Sequence, residues 1–346
     1  MIDSRGPDQL AFISVIIPCY NEERFIGKCL DSIVANTYCK DRLEIIIVDG
    51  MSTDNTREIV AEFCHKYPFI RMIDNPDKIK PRALNIGIRE AKGDIIIRMD
   101  AHAIYEPEYI SKSVRYLDEW GADNVGGIRK TLAGNDSLSA RAIAYAVSHP
   151  FAVGNATYRT GASKMKWVDT VFGGCYRRRI FDEIGFFNES LIRGQDREFN
   201  VRLKRAGGKI LLAPDIICHY FARSDLRSYT KWIFVGGLTP FYISKITRNI
   251  IFSWRNLVPL LFVASLFALF LLSVWNFAFF WLFLATILFY LAVATFISIP
   301  IARRERDIRF LAIMPLVFAA THVAYGLGSI VGLFKPVKHG SEWSQV

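Results

Sequence analysis

Residues 43–67 read LEIIIVDGMSTDNTREIVAEFCHKY. An unbroken apolar run ends at Asp49-Gly50, and Ser52, Thr53 and Asp54 then offer side-chain oxygens that can cap a helix N-terminus. A run with no polar alternation suits a strand buried on both faces. The same strand–turn–helix grammar extends in both directions. Upstream, FISVIIP (12–18) precedes NEERFIGKCLDSIVAN (21–36), where Phe25, Ile26, Cys29, Leu30, Ile33 and Val34 recur at helical spacing. Downstream come IRMID (70–74), then PRALNIGIREAKG (81–93) with proline in its first turn and glycine beyond its end, then DIIIRMD (94–100). Strands alternating with helices predict an α/β fold around a mostly parallel sheet covered on both faces. Such sheets bind ligands at the carboxyl ends of their strands. Three polar clusters fall there: Pro18 to Glu23, Asp49 to Asp54, and Asp100 to His102.

Beyond residue 160 the pattern loosens. KWVDTVFGGCYRRRIFDEIG (166–185) reads as strand, Gly-Gly turn and helix, and GQDREFNVRLKRAGG (194–208) as a helix with a glycine stop. KILLAPDIICHYFARS (209–224) reads as short strands interrupted by Pro214. From Leu226 to Trp254, aromatic residues (Trp232, Phe234, Phe241, Tyr242, Phe252) interleave with Arg227, Lys231, Lys245 and Arg248, as in helices lying in a headgroup layer. After Arg255 no Lys or Arg occurs until Arg303. Leu257–Ser273 and Trp275–Pro300 can each cross roughly 30 Å of hydrocarbon. Phe310–Phe334 is a third candidate, either a span or a re-entrant hairpin, since a span would leave Lys335 and Lys338 outside. The expected domains are 1–225 (catalytic), 226–255 (interfacial) and 256–346 (about three membrane helices). The arginines at 303–309 place the soluble part on the cytoplasmic side of the inner membrane.

The net charge of +10 favours anionic partners such as phosphate-bearing substrates and acidic headgroups. Nucleic acid is not expected, because no dense basic helix or zinc-ligand spacing is present. The six cysteines are scattered without a C-x-x-C and read as reduced thiols. MIDSRGPDQL (1–10) has no signal-peptide core.

Asp100 and His102 end an apparent strand two residues apart, where alternation points both the same way, a two-ligand grip on a divalent cation. By themselves they are equally a loop aspartate beside an incidental histidine. Asp49, by itself, is a capping carboxylate, Asp196 a helix N-terminal carboxylate balancing the dipole, and His219 a partly buried strand histidine.

VIIPCYNEE (15–23), IIIVDGMSTDNT (45–56), ALNIGIREAKGDIIIRMDAH (83–102), FGGCYRRRIFDEIGFFNE (172–189) and GQDREFNVRLKRAGG, in that order, resemble the family-2 glycosyltransferases, over roughly residues 12–225. HYFARSDLRSYTKW (219–232) and the apolar tail resemble the membrane-anchored subgroup that builds bacterial exopolysaccharides, of the succinoglycan type. The resemblance implies the GT-A nucleotide-sugar-binding fold. It also implies roles: Pro18, Tyr20 and Glu22 near base and ribose, and Asp49 on the base, usually uracil. Lys80 and Arg82 would face the diphosphate, and Asp100 and His102 stand in place of D-x-D, gripping metal and ribose. Asp196 would be the catalytic base, beside Gln195 where the family has glutamate. Gly173 and Gly174 would admit donor and acceptor sugars, or form a plain turn, and His219 is a candidate third ligand. Histidine in place of the second carboxylate favours Mn²⁺ over Mg²⁺.

The implied activity is inverting, metal-dependent transfer from a nucleoside-diphosphate sugar, UDP-linked, to a hydroxyl of a membrane-associated, polyprenyl-diphosphate-linked glycan. No Q-x-x-R-W of processive synthases occurs, which points to single additions. The rival readings are a polyprenyl-phosphate hexose synthase, which needs no base, and a non-catalytic nucleotide-sugar-binding membrane protein.

Overall fold

The computed structural model describes residues 10–191 and 193–336; the reading of the amino-terminal segment and Lys338 fall outside them. The alternation is present. β1 (Ile13–Cys19), α1 (Ile26–Val34), β2 (Leu43–Asp49), α2 (Thr56–Lys66), β3 (Ile70–Asp74), α3 (Lys80–Glu90) and β4 (Ile95–Arg98) follow in turn. Then come β5 (Ala103–Tyr105), α4 (Tyr109–Glu119), β6 (Asn124–Leu132), α5 (Leu138–Ala146), α6 (Pro150–Val153) and α7 (Thr157–Thr160). β7 (Lys166–Trp167), β8 (Phe172–Arg177), α8 (Arg179–Ile184), α9 (Gln195–Arg205) and β9 (Ile210–Phe221) complete the sheet region. Four helices end the described chain: α10 (Leu226–Thr247), α11 (Trp254–Leu272), α12 (Phe277–Glu305) and α13 (Phe310–Phe334).

The sheet order is β3-β2-β1-β4-β8-β6-β9-β5, with β7 against β9. β1 to β4 run parallel, but β8 pairs antiparallel with β4 and with β6, and β9 antiparallel with β5 and β7. The expected mostly parallel sheet is therefore mixed. Past β4 consecutive strands no longer lie side by side through a single crossover helix, the arrangement that gives parallel pairing. Cys19, Asp49 and Asp74 are level across β1, β2 and β3, so three strand ends form one edge.

Two further expectations change. Gly173 and Gly174 lie inside β8, not in a turn, at φ +71° and +125°. A side chain at 173 would press on the Arg98 carbonyl, and one at 174 on the Tyr176 ring. Pro214 sits within a continuous twelve-residue β9. The strand tolerates it by changing partner, from β7 at Leu211 and Leu212 to β5 at Cys218–Tyr220.

Ile13, Val15 and Ile17 of β1 join Ile26, Cys29, Leu30 and Ile33 of α1 in one core, while Gly87 brings α3 against Ile16 and Val48. Each such side chain, fully removed from water, contributes about 1.5–3 kcal/mol. This layer holds the strand ends, and so the site, in register.

The described chain divides into two compact units, residues 10–130 with 161–220, and residues 131–160 with 221–336. In the second, Leu226–Thr247 is a single helix, and Gly237 through Ile243 are all buried. Glycine explains the burial. Side chains at Gly237, Gly328 or Gly332 would collide with the Tyr325, Phe234 and Leu238 carbonyls respectively, so α10 and α13 touch backbone to backbone. Among the described residues three helices, α11, α12 and α13, are long and apolar enough to cross a membrane.

Candidate functional site

β4 stops at Arg98, and Asp100 to His102 form a turn before Ala103 opens β5. Strand alternation therefore does not orient Asp100 and His102; the turn does. The Asp100 backbone N–H donates to the Tyr105 hydroxyl at 2.7 Å, which fixes it. Its Oδ1 accepts from Lys80 Nζ and Arg98 Nη2, each at 2.7 Å. His102 Nδ1 lies 2.8 Å from Glu22 Oε1, and its ring meets Tyr220 edge-on.

The centre of the arrangement is Arg98, whose side chain is 5% exposed. Nη2 holds Asp100, and Nη1 lies 2.7 Å from Asp196 Oδ2. Asp196 is in the first turn of α9, entered through Gly194 in the left-handed region at φ 81°. Its other oxygen, Oδ1, is buried with no hydrogen-bond partner. Burial raises the Asp100 carboxyl pKa, but Arg98 foremost, then Lys80 and His102, override it and hold the group well below the usual carboxylate range. Burial works against the Arg98 charge, and Asp100 and Asp196 restore it, pushing its pKa up.

At the next strand end Asp49 is wholly buried. It accepts from the Ser52 N–H at 3.0 Å and hydroxyl at 2.6 Å, and from Arg57 at 2.6 Å; Arg57 also reaches Asp74 at 2.7 Å. Asp54 accepts from Thr56 N–H at 3.1 Å, a capping bond. The loops after β1 and β2 are laced together. Asn21 N–H donates to Ser52 Oγ, and Thr53 N–H to Asn21 Oδ1, both at 2.9 Å. Pro18 pairs with Val48 within the sheet, and Tyr20 is exposed with Lys78 over its ring at 5.9 Å.

Lys80, Asp100 and Asp196 are thus linked directly or through Arg98, and Glu22 and His102 form a second pair, His102 lying two residues beyond Asp100 in the chain. Arg82 turns elsewhere, to Asp77 at 2.9 Å and Glu189 at 3.7 Å. Gln195 is buried in the α9 first turn. His219, opposite Ile104 on β9, has Nε2 3.6 Å from Glu106. Among the described residues no three His, Cys, Asp or Glu side chains converge to hold an ion. The pair expected from the sequence to hold a divalent cation, Asp100 and His102, stands two residues apart in this turn. Two protein ligands fit an ion that takes its remaining oxygens from substrate phosphates and water. Sequence reasoning missed Arg98 and Arg57. The signal for Arg98 was visible: a cation between Ile97 and Met99, in a buried run, requires carboxylate partners.

The family described as Glycosyl transferase family 2 matches residues 14–185. The chain is 33% identical over 228 residues to a dolichyl N-acetyl-alpha-D-glucosaminyl phosphate 3-beta-D-2,3-diacetamido-2,3-dideoxy-beta-D-glucuronosyltransferase of Methanococcus voltae, covering 64% of this chain and 70% of that one. It is 30% identical over 214 residues to the succinoglycan biosynthesis protein ExoA of Rhizobium meliloti, covering 61% and 64%. Glycosyltransferase AglE of Haloferax volcanii is 30% identical over 213 residues, covering 61% and 67%. The chain thus spans about two thirds of these curated relatives. A solved structure, the mannosyltransferase PcManGT from Pyrobaculum calidifontis in complex with GDP-Man and Mn²⁺, shares the fold. Its TM-score is 0.59 at 20% identity, covering 95% of this chain and 88% of that one.

Proposed function

The chain belongs to the family-2 glycosyltransferases, and from that premise we propose an inverting, Mn²⁺-dependent enzyme. It moves a sugar from a nucleoside-diphosphate donor, UDP-linked, to a hydroxyl of a lipid-linked glycan at the cytoplasmic face of a membrane, one addition at a time. The observation that carries the reading is the Arg98 bridge. One buried guanidinium ties Asp100, the candidate diphosphate and metal residue, to Asp196, the candidate base. The relative acting on a dolichyl-linked sugar supports the lipid-linked acceptor, and the succinoglycan protein supports an exopolysaccharide-type role.

Lys80, paired with Asp100 at 2.7 Å and about a third exposed, is the cation of this group that can turn to a diphosphate. Asp100 and His102 would hold a divalent cation, which when bound would supply charge against the departing group. Glu22, bonded to His102 Nδ1, fixes the ring orientation and would leave Nε2 free to hold the ion. Asp49, buried on the nucleotide edge, is the base-recognition residue, oriented by Ser52 and Arg57. Asp196 takes the acceptor proton, while Arg98 holds Oδ2 and so the carboxylate plane. Attack opposite the leaving diphosphate, with no covalent intermediate, inverts the anomeric centre.

Asp196→Asn, assayed with UDP-sugars, Mn²⁺ and a membrane-lipid acceptor extract, is expected to lose about 10²- to 10⁴-fold in transfer, with donor binding retained. Undiminished turnover refutes the base and points instead to a lipid phosphate acceptor, which arrives already ionised.

A further inference from the structure

We infer that only α11 and α12 cross the membrane, and that α13, although long and apolar enough to do so, lies with α10 along the cytoplasmic leaflet. The inference rests on the membrane-anchoring part of the reading above, not on the chemistry.

The direction of α10 against α13 decides it. Tyr229 bonds Thr321 at 2.7 Å, Ser329 Oγ donates to the Gly237 carbonyl at 3.3 Å, and Lys245 Nζ donates to the Leu333 carbonyl at 2.9 Å. Positions on both helices rise together, so the two run side by side in the same direction. Were α13 to cross, α10 would be carried across with it, since Lys245 caps its far end. Helices that cross in succession through short connections must alternate in direction. With α11 and α12 between them, α10 and α13 would then be antiparallel, and they are parallel. The six residues 248–253 cannot return the chain across the bilayer either, reaching about 20 Å against roughly 30 Å of hydrocarbon. They fold back along α10 instead: Ile251 N–H donates to Ser244, and Phe252 stacks on Phe241 at 4.8 Å.

The first half of α13 gives the same answer. The segment from 133 to 165 leaves the sheet after β6 and rejoins it at β7, and its longest helix, α5, has nine residues, too short to cross. Yet this segment accompanies α13 from one end to its middle. Tyr145 meets Phe310, His149 and Phe151 meet Phe318, and the His322 ring nitrogen Nε2 lies 2.8 Å from the Phe151 carbonyl oxygen.

Exposure fits a helix half sunk in lipid. α13 is 44% buried over its most apolar window, against 17% for α11 and 11% for α12. Its exposed large residues are Leu316, Val323, Leu327, Val331, Leu333 and Phe334, and all but Leu333 form one stripe at helical spacing, an apolar face for the acyl boundary. Lys335 then stays on the side of Arg303, Arg304, Arg306 and Arg309, in keeping with the positive-inside rule.

The test uses the full chain in sealed membrane vesicles of both orientations, with a membrane-impermeant maleimide. Cys39 of the sheet unit marks the cytoplasmic side. The thiol of Lys335→Cys is expected to label in the same vesicles as Cys39, and that of Trp275→Cys, in the turn between α11 and α12, in the opposite ones. Labelling of Lys335→Cys together with Trp275→Cys overturns the inference and leaves the anchor intact. Labelling of Trp275→Cys with Cys39 shows that the hairpin does not cross, and the anchoring reading itself fails. Reporter fusions placed after residue 336 give an independent check. A fluorescent protein should be bright there and alkaline phosphatase inactive; the reverse overturns the inference.

Discussion

Arg98→Met removes the charge that joins the two halves of the site while keeping a side chain of similar length. Two bonds of 2.7 Å disappear from a side chain 5% exposed. Asp100 keeps Lys80 at 2.7 Å, whereas Asp196 loses its Oδ2 partner but is 30% exposed and regains some water. Breaking a buried pair from one side costs about 3–5 kcal/mol, and the partial rehydration of Asp196 sets the expectation near 3 kcal/mol. For a domain of this size that lowers Tm by about 6–12 °C. Arg98→Lys keeps the charge, but one ammonium cannot span both carboxylates, so it falls between wild type and Arg98→Met. Thermal unfolding in detergent measures both. The double variant Arg98→Met/Asp196→Asn also removes the orphaned carboxylate, so its loss is smaller than the sum of the singles, by about 0.5–3 kcal/mol. A loss below about 1 kcal/mol for Arg98→Met, or strict additivity in the double variant, refutes the bridge as the organising contact.

His102→Ala is expected to abolish the gain in UDP affinity that Mn²⁺ brings while leaving metal-free binding in place; calorimetry with and without Mn²⁺ reads the difference, and an unchanged gain removes His102 from the metal site. Gly332→Ala puts a Cβ 2.5 Å from the Leu238 carbonyl oxygen and should destabilise the α10–α13 pair by about 1–3 kcal/mol. A wild-type Tm in detergent would show that the helices can separate at no cost. Burial pushes the Cys218 thiol up to about 12 and those of Cys19, Cys29 and Cys175 well above their ordinary value. Alkylation of the native protein at pH 8 should therefore spare all four and take Cys39; mass spectrometry finding Cys218 modified without unfolding contradicts the packing of β9.

Much of the catalytic region was legible because its signals are local. Apolar runs ending in polar clusters placed β1 to β4, and their shared edge collected Glu22, Asp49 and Asp100. What escaped depends on partners far along the chain. Gly173-Gly174 reads as a turn until the Arg98 carbonyl and Tyr176 ring stand beside it. Pro214 reads as a break until the strand's change of partner is known. The aromatic and basic residues of 226–247 describe an interfacial helix, but Gly237 and Gly328, which bury it against α13, lie 91 positions apart. At Asp100-Ala101-His102 the residue types were read, while the geometry assumed for them, an extended strand, was not the one the turn adopts.

The excursion from β6 to β7 has a consequence for how the chain is made. Ala142, Ile143 and Ala146 of α5 share a core with Phe310, Met314, Val317 and Phe318. At about 5–20 residues per second, a ribosome delivers those partners roughly 10–30 s after α5 emerges. Through that interval the α5 apolar face lacks its α13 neighbours and has Ala222, Tyr229, Ile233 and the adjoining Phe151 and Ala152 to share its core. The nascent chain thus arrives at the bilayer with a sticky patch already displayed, and delivery of the hairpin into lipid is the event that lets the patch be covered.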